Sequence, residues 1–90
     1  MKKIVLLPED FDFNEDTFDS TTNCPLAKAC QRHFKRHVTV GIIIASVHYS
    51  KDLHIVYEIP EGFRYENYKS IKSMFKRKKI TSWTVLLKPL

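Results

Sequence analysis

Four side chains of zinc-binding type gather around one helical pattern: Cys24, Cys30, His33 and His37. His33 and His37 are four residues apart, which sets two imidazoles on one helix face. Cys30 precedes His33 by three, on the same side. Cys24 lies at the helix start, about 9 Å of axial rise from Cys30. One ion could take both only if the first turn unwound. Cys30 also falls in the apolar stripe, where a small buried hydrophobe belongs. The pattern lacks the Cys-x-x-Cys pairs that mark zinc sites. The expectation is no metal and no other cofactor.

Cys24 has a second chemistry open to it. A thiol at a helix N-terminus faces the positive end of the dipole, which favours thiolate. A nucleophile would need a histidine base, and His48 and His54 are the available imidazoles. The competing role is a buried cysteine that caps and packs, and that role is expected. Asp10, Asp12, Asn14 and Asp16 alternate like calcium-loop ligands. Glu15 stands where that loop needs glycine, and Thr21 where it needs a bidentate glutamate. A solvated acidic loop is expected instead. Paired carboxylates, a glycine-rich phosphate loop and triad spacing are all missing, so the chain is not expected to be an enzyme.

Charge is the stronger hint. The net charge is +5, unevenly spread. Residues 1–24 hold two lysines against six acids, a net of −4; residues 25–90 hold thirteen Lys/Arg against four acids, a net of +9. Such asymmetry favours a polyanionic partner. The alternative is that the acidic segment folds back and pairs with the basic surface. Lys28, Arg32, Lys35 and Arg36 form one stripe, and Lys69, Lys72, Lys76, Arg77 and Lys79 another, with Lys78 beside it. With both helices on one side of a sheet, the stripes would merge into a cationic face. DNA or RNA binding there would be non-specific and salt-dependent. Only Tyr49 and Tyr57 offer aromatic stacking in the central hairpin, and no RNP-like motif is present. Lysine-rich helix faces also serve solubility alone.

The elements that would carry these residues follow from periodicity. Lys3–Leu7 reads as a strand stopped by Pro8. Residues 9–23 form an acidic loop whose Phe11, Phe13 and Phe18 should dock on the body. Asn23 or Cys24 caps the first helix and Pro25 suits its first position. Leu26, Cys30 and Phe34 form its apolar stripe, and it should end near Arg36. Val38–Tyr49 reads as a strand interrupted at Gly41, Ser50-Lys51-Asp52 as a turn, and Leu53–Ile59 as the return strand. Pro60-Glu61-Gly62 breaks the chain. Tyr65–Lys78 reads as a helix with Tyr68, Ile71, Met74 and Phe75 inward, and Ser82–Leu87 as a last strand ended by Pro89.

The order β-α-β-β-α-β predicts a single α+β domain over 1–90. It would be a two-layer, ferredoxin-like sandwich with a four-stranded antiparallel sheet and two helices on one face. The rival is an irregular α+β fold in which Gly41 splits the long strand in two. The strands are apolar on both faces, so the open face needs a cover: the phenylalanine-bearing loop or a second copy. The longest apolar run, Gly41 to Ala45, is far short of a membrane span. The N-terminus lacks a signal-peptide core, and two cysteines make no disulfide framework. A cytoplasmic protein without membrane contact is expected.

Asn23-Cys24-Pro25-Leu26-Ala27, then Arg32 and Val38-Thr39-Val40-Gly41, carry a resemblance. The chain from about Cys24 onward resembles small uncharacterised proteins encoded by phages and prophages. These have a Cys-Pro-hydrophobic-Ala helix start, a Val-x-Val-Gly strand, and a helix ending in Phe-Asp before an aromatic strand. Ile71 to Phe75 and Trp83 to Leu87 match that tail in part. Cys30 replaces a commoner aliphatic residue, and the Phe-Asp step becomes Phe75-Lys76. The resemblance implies a similar fold and a phage origin, and no reaction. Together these features predict a non-enzymatic accessory protein that contacts nucleic acid through its basic helices. The alternative is a protein-interaction module, a homodimer or an inhibitor of a host protein, that uses the apolar sheet face.

Overall fold

A computed structural model describes residues 1–11, 24–64 and 67–90. The elements in order are β1 (Lys2–Leu6), α1 (Pro25–Phe34), β2 (His37–Val40), β3 (Ile44–His48), β4 (His54–Glu58), α2 (Tyr68–Lys78) and β5 (Trp83–Pro89). Short 3-10 turns occupy Pro8–Phe11 and Glu61–Phe63. Among the described residues the fold is α+β with two helices, and the antiparallel sheet has five strands, not the expected four.

The extra strand comes from residues 38–49. Gly41 N–H donates to the Ile44 carbonyl at 2.7 Å and closes a turn over Ile42 and Ile43. β2 and β3 then pair from His37↔His48 to Val40↔Ala45. Gly41 does not adopt a positive φ. A Cβ there would meet the Ile44 carbonyl at 3.6 Å, an ordinary contact. An unbroken apolar run cannot be told from strand–turn–strand by alternation, and the turn residues are themselves isoleucines.

Strand order also departs from the ferredoxin-like layout. It runs β1-β5-β4-β3-β2. A split βαβ leaves one strand between β1 and the strand after α1; here β5, β4 and β3 all lie between. β5 bridges the two halves. Trp83 to Leu87 pair with β1, whereas Lys88 and Pro89 pair with Glu58 and Tyr57 of β4. In a flat sheet the edge strands would stand about 19 Å apart, four steps of about 4.8 Å. A helix with its side chains is only about 10–12 Å across. Yet α1 packs against both β1 and β2, so the sheet must curl around it. Neighbouring α1 residues fasten the two edges. Gln31 Nε2 donates to the Val38 carbonyl of β2 at 3.2 Å, and Arg32 donates to the Val5 carbonyl of β1 at 2.9 Å. Edge carbonyls that would otherwise invite another strand are thereby occupied.

The concave face holds the core. Ile4, Leu6, Val38, Val47, Val85 and Leu87 are fully buried against Leu26, Ala29 and Cys30 of α1. Cys24 caps α1, accepting from Ala27 N–H at 3.3 Å. α1 ends earlier than expected, with Lys35 as a left-handed C-cap at φ 54°. α2 buries Tyr68, Ile71 and Phe75, and it docks mainly through aromatic contacts. Phe11 lies 5.3 Å from Phe75 and 6.2 Å from Tyr68, and Phe75 lies 6.2 Å from Trp83 between ring centroids. Phe11 thus docks as expected, while Phe13 and Phe18 lie outside the described residues. The convex face is mixed: Val5, Ile44 and Leu86 are exposed among Lys3, Glu58 and Lys88. Among the described residues no helix is long and apolar enough to cross a membrane.

Candidate functional site

The structure disperses the sulfur and imidazole groups of the first helical region. Cys24 and Cys30 are free thiols in the core. His33 is exposed with its ring edge-on to Phe34, and His37 lies on β2 at the convex face. No group of three His, Cys, Asp or Glu among the described residues is placed to hold a metal ion. Burial pushes the Cys24 thiol up, against smaller opposing effects of the Tyr68 hydroxyl and the Ala27 N–H. Desolvation therefore outweighs the helix-end field that would favour thiolate. The Tyr68 hydroxyl donates to Cys24 Sγ at 3.6 Å and is itself raised by burial. Burial, then the nearby Cys24 and Asp10, pushes the Cys30 thiol up to about 12. His48 and His54 sit on the opposite face of the sheet, so Cys24 has neither as a base. Asp10, the first residue of the calcium-like pattern, is committed elsewhere, and Asp12, Asn14 and Asp16 lie outside the described residues.

The cations of α1 have intramolecular work. Arg32 forms a bidentate pair with the buried Asp10 carboxylate, at 2.8 and 2.9 Å. That contact raises the guanidinium pKa further, and it realises in part the fold-back pairing of acidic segment and basic surface. Arg36 lies over the Tyr49 ring at 5.2 Å, a cation–π contact. Lys35 closes the helix, and Lys28 is half-buried.

α2 is different. Tyr68–Lys78 contains five cations and no acid, and Lys79 follows as a left-handed cap. Lys69, Lys72, Lys76, Arg77, Lys78 and Lys79 are all exposed. At about 100° per residue, Lys69, Lys72, Lys76 and Lys79 fall within an arc of about 80°. Beside that arc is a shallow concavity of about 340 Å³ lined by Lys69, Ser70, Ser73, Met74 and Arg77. Two cations and two hydroxyls in one depression are the donors that phosphate oxygens accept from. The serines carry no signal in a sequence scan for basic stripes. They become legible only once helical phase is applied to positions 69, 70, 73 and 77 together.

A second grouping lies on the convex face. His37, His48 and His54 occupy matching positions on β2, β3 and β4, His37↔His48 and His48↔His54. Their rings neighbour one another across the convex face, tilted by 40° and 34°, with centroids 5.3 and 5.5 Å apart. His48 Nε2 lies 3.0 Å from Thr39 Oγ1. The turn at Ser50-Lys51-Asp52 sets His48 across from His54, whereas the place of His37 beside them depends on where residues 38–49 turn.

Compared with known proteins, the chain matches no family model, no curated protein and no solved structure.

Proposed function

We propose that this chain is a small non-enzymatic accessory protein of phage type that binds nucleic acid through its basic helices, α2 foremost. The observation that carries the proposal is the set of exposed cations from Lys69 to Lys79, in a helix without acids, with a serine-lined depression at its flank. Lys28, Arg32, Lys35 and Arg36 extend the positive potential from α1, although Arg32 and Arg36 are held by Asp10 and Tyr49. Contacts of this kind position a phosphate backbone and carry little sequence information. The phage character rests on the Cys24-Pro25-Leu26-Ala27 and Val38-Thr39-Val40-Gly41 resemblance, and a cytoplasmic location is part of the same proposal. Gel shifts with mixed-sequence DNA and RNA test it, using K72E/K76E/K79E beside the unaltered chain. Retarded complexes that vanish in the variant are expected; equal retardation of both proteins, or none of either, contradicts it.

A second proposal, a protein-interaction module, has one specific observation behind it. Ile42 and Ile43 are 77% and 51% exposed at a turn, beside the exposed Ile44. Contiguous exposed aliphatics are common at contact surfaces. The predicted consequence is self-association or capture of a host protein, abolished by I42D/I43D. A strict monomer by light scattering at high concentration removes the homodimer form.

A further inference from the structure

We propose that the histidine ladder on the convex face is a surface site for a divalent transition-metal ion, held by His48 together with either His37 or His54. The three rings stand on three adjacent antiparallel strands, and their register positions are fixed by backbone pairing. Two imidazoles bound to one ion at about 2.0–2.1 Å and near the tetrahedral angle place their ring centroids about 5 Å apart. The two pairs stand at 5.3 and 5.5 Å, the ring separation that such a chelate needs. The flanking rings, His37 and His54, are two strands apart, about 10 Å. All three therefore do not converge on one ion, and both pairs share His48, which sets the stoichiometry at one ion per chain. The remaining coordination positions are open to water or to a ligand atom from a partner.

The chemistry selects the ion class. Neutral imidazole suits zinc, copper and nickel, whereas magnesium and calcium require oxygen ligands. Thr39 orients the central ring. His48 Nε2 lies 3.0 Å from Thr39 Oγ1; in the tautomer whose Nε2–H donates to that hydroxyl, the metal-binding lone pair is on Nδ1, and metal binding selects that tautomer. A hydrogen bond of this kind is the usual outer support of a metal-bound histidine. The site lies on the sheet face away from both thiols and is independent of the nucleic-acid proposal, which rests on α2.

Calorimetric titration of the untagged full-length chain with Zn²⁺, and separately with Cu²⁺, tests the site. One saturable ion per chain is expected, with no response to Mg²⁺. H48A removes both pairs and should weaken binding at least about tenfold, as should H37A/H54A. T39V, isosteric and on the same face, should weaken it with the ligands intact. H33A should leave it unchanged, and the single variants H37A and H54A should each retain a site. Nitrogen couplings from two imidazoles in the electron paramagnetic resonance spectrum of the copper form supply a readout separate from affinity. Circular dichroism of each variant confirms that it is folded. Absence of saturable binding, or binding that H48A and H37A/H54A both leave intact, overturns the proposal.

Discussion

Asp10 is a buried acid whose carboxylate receives donors from three places: the Leu7 N–H at 2.9 Å and both terminal nitrogens of Arg32. It anchors the 3-10 turn that also delivers Phe11 to α2. Removing Arg32 strips two of those donors and frees the β1 edge carbonyl of Val5. Arg32→Ala should cost about 2–3 kcal/mol, less than the about 3–5 kcal/mol of breaking a fully buried pair. The Arg32 side chain is 43% exposed, so water takes over part of its role. Urea unfolding measures this. Arg32→Lys should recover only part of the loss, because an ammonium cannot reproduce the bidentate fork. Cys30 gives a second test at the same scale. Its thiol titrates near 9.0 when unfolded and is pushed up to about 12 in the fold by burial. The folded state therefore keeps a proton that the unfolded chain gives up. Its stabilising contribution is whole below about pH 9 and is lost as pH rises toward about 12, at about 1.4 kcal/mol per pH unit. The raised Tyr68 hydroxyl acts in the same direction. Urea midpoints should fall through the alkaline range, and Cys30→Ala should flatten that fall while lowering stability overall.

At the scale of elements, both helices end on a lysine in left-handed backbone, Lys35 at φ 54° and Lys79 at φ 53°. Glycine takes that conformation without the Cβ penalty. Lys35→Gly should raise stability by about 0.5–1 kcal/mol, read as an increase in thermal midpoint. Gly41 is the contrasting case. Its φ is negative and a Cβ has room, so Gly41→Ala should be neutral or slightly stabilising through the unfolded chain. A loss of several degrees would mean that the turn needs glycine after all. These local facts explain what the sequence could express. The start of α1 was legible because Cys24, Pro25 and the Leu26–Cys30–Phe34 stripe all point to one helix. α2 was legible because Tyr68, Ile71 and Phe75 keep helical phase among lysines. The β2–β3 turn was legible only as the rival in which Gly41 splits the long strand in two. Its tip is isoleucine where turns are ordinarily polar, so local composition contradicted the backbone. The depression on α2 shared that fate in part: its lysines stood out, whereas Ser70 and Ser73 did not. In the histidine ladder, the pairing of His48 with His54 follows from the turn at Ser50-Lys51-Asp52, while that of His37 with His48 waits on the β2–β3 turn.

For the whole molecule, the sheet closes around α1, and Gln31 and Arg32 clasp its two edges. That arrangement keeps the concave face for the core and leaves three surfaces outward: the cationic flank of α2, the histidine-bearing convex face, and the isoleucine tip. Arg32 serves both the clasp and the positive potential, so its loss would confuse stability with binding. The lysines of α2 stand outside that clasp, and their substitution leaves Tyr68, Ile71 and Phe75 in place. The most direct test of nucleic-acid binding is therefore a fluorescence anisotropy titration of labelled mixed-sequence DNA and RNA across a series of salt concentrations. The account predicts binding at low salt whose log affinity falls linearly with log salt, with a slope for four phosphate contacts of about −3.6 on duplex DNA and about −2.8 on single strands. The slope should shrink toward zero in K72E/K76E/K79E. No binding at low salt, or a slope unchanged in that variant, would contradict it.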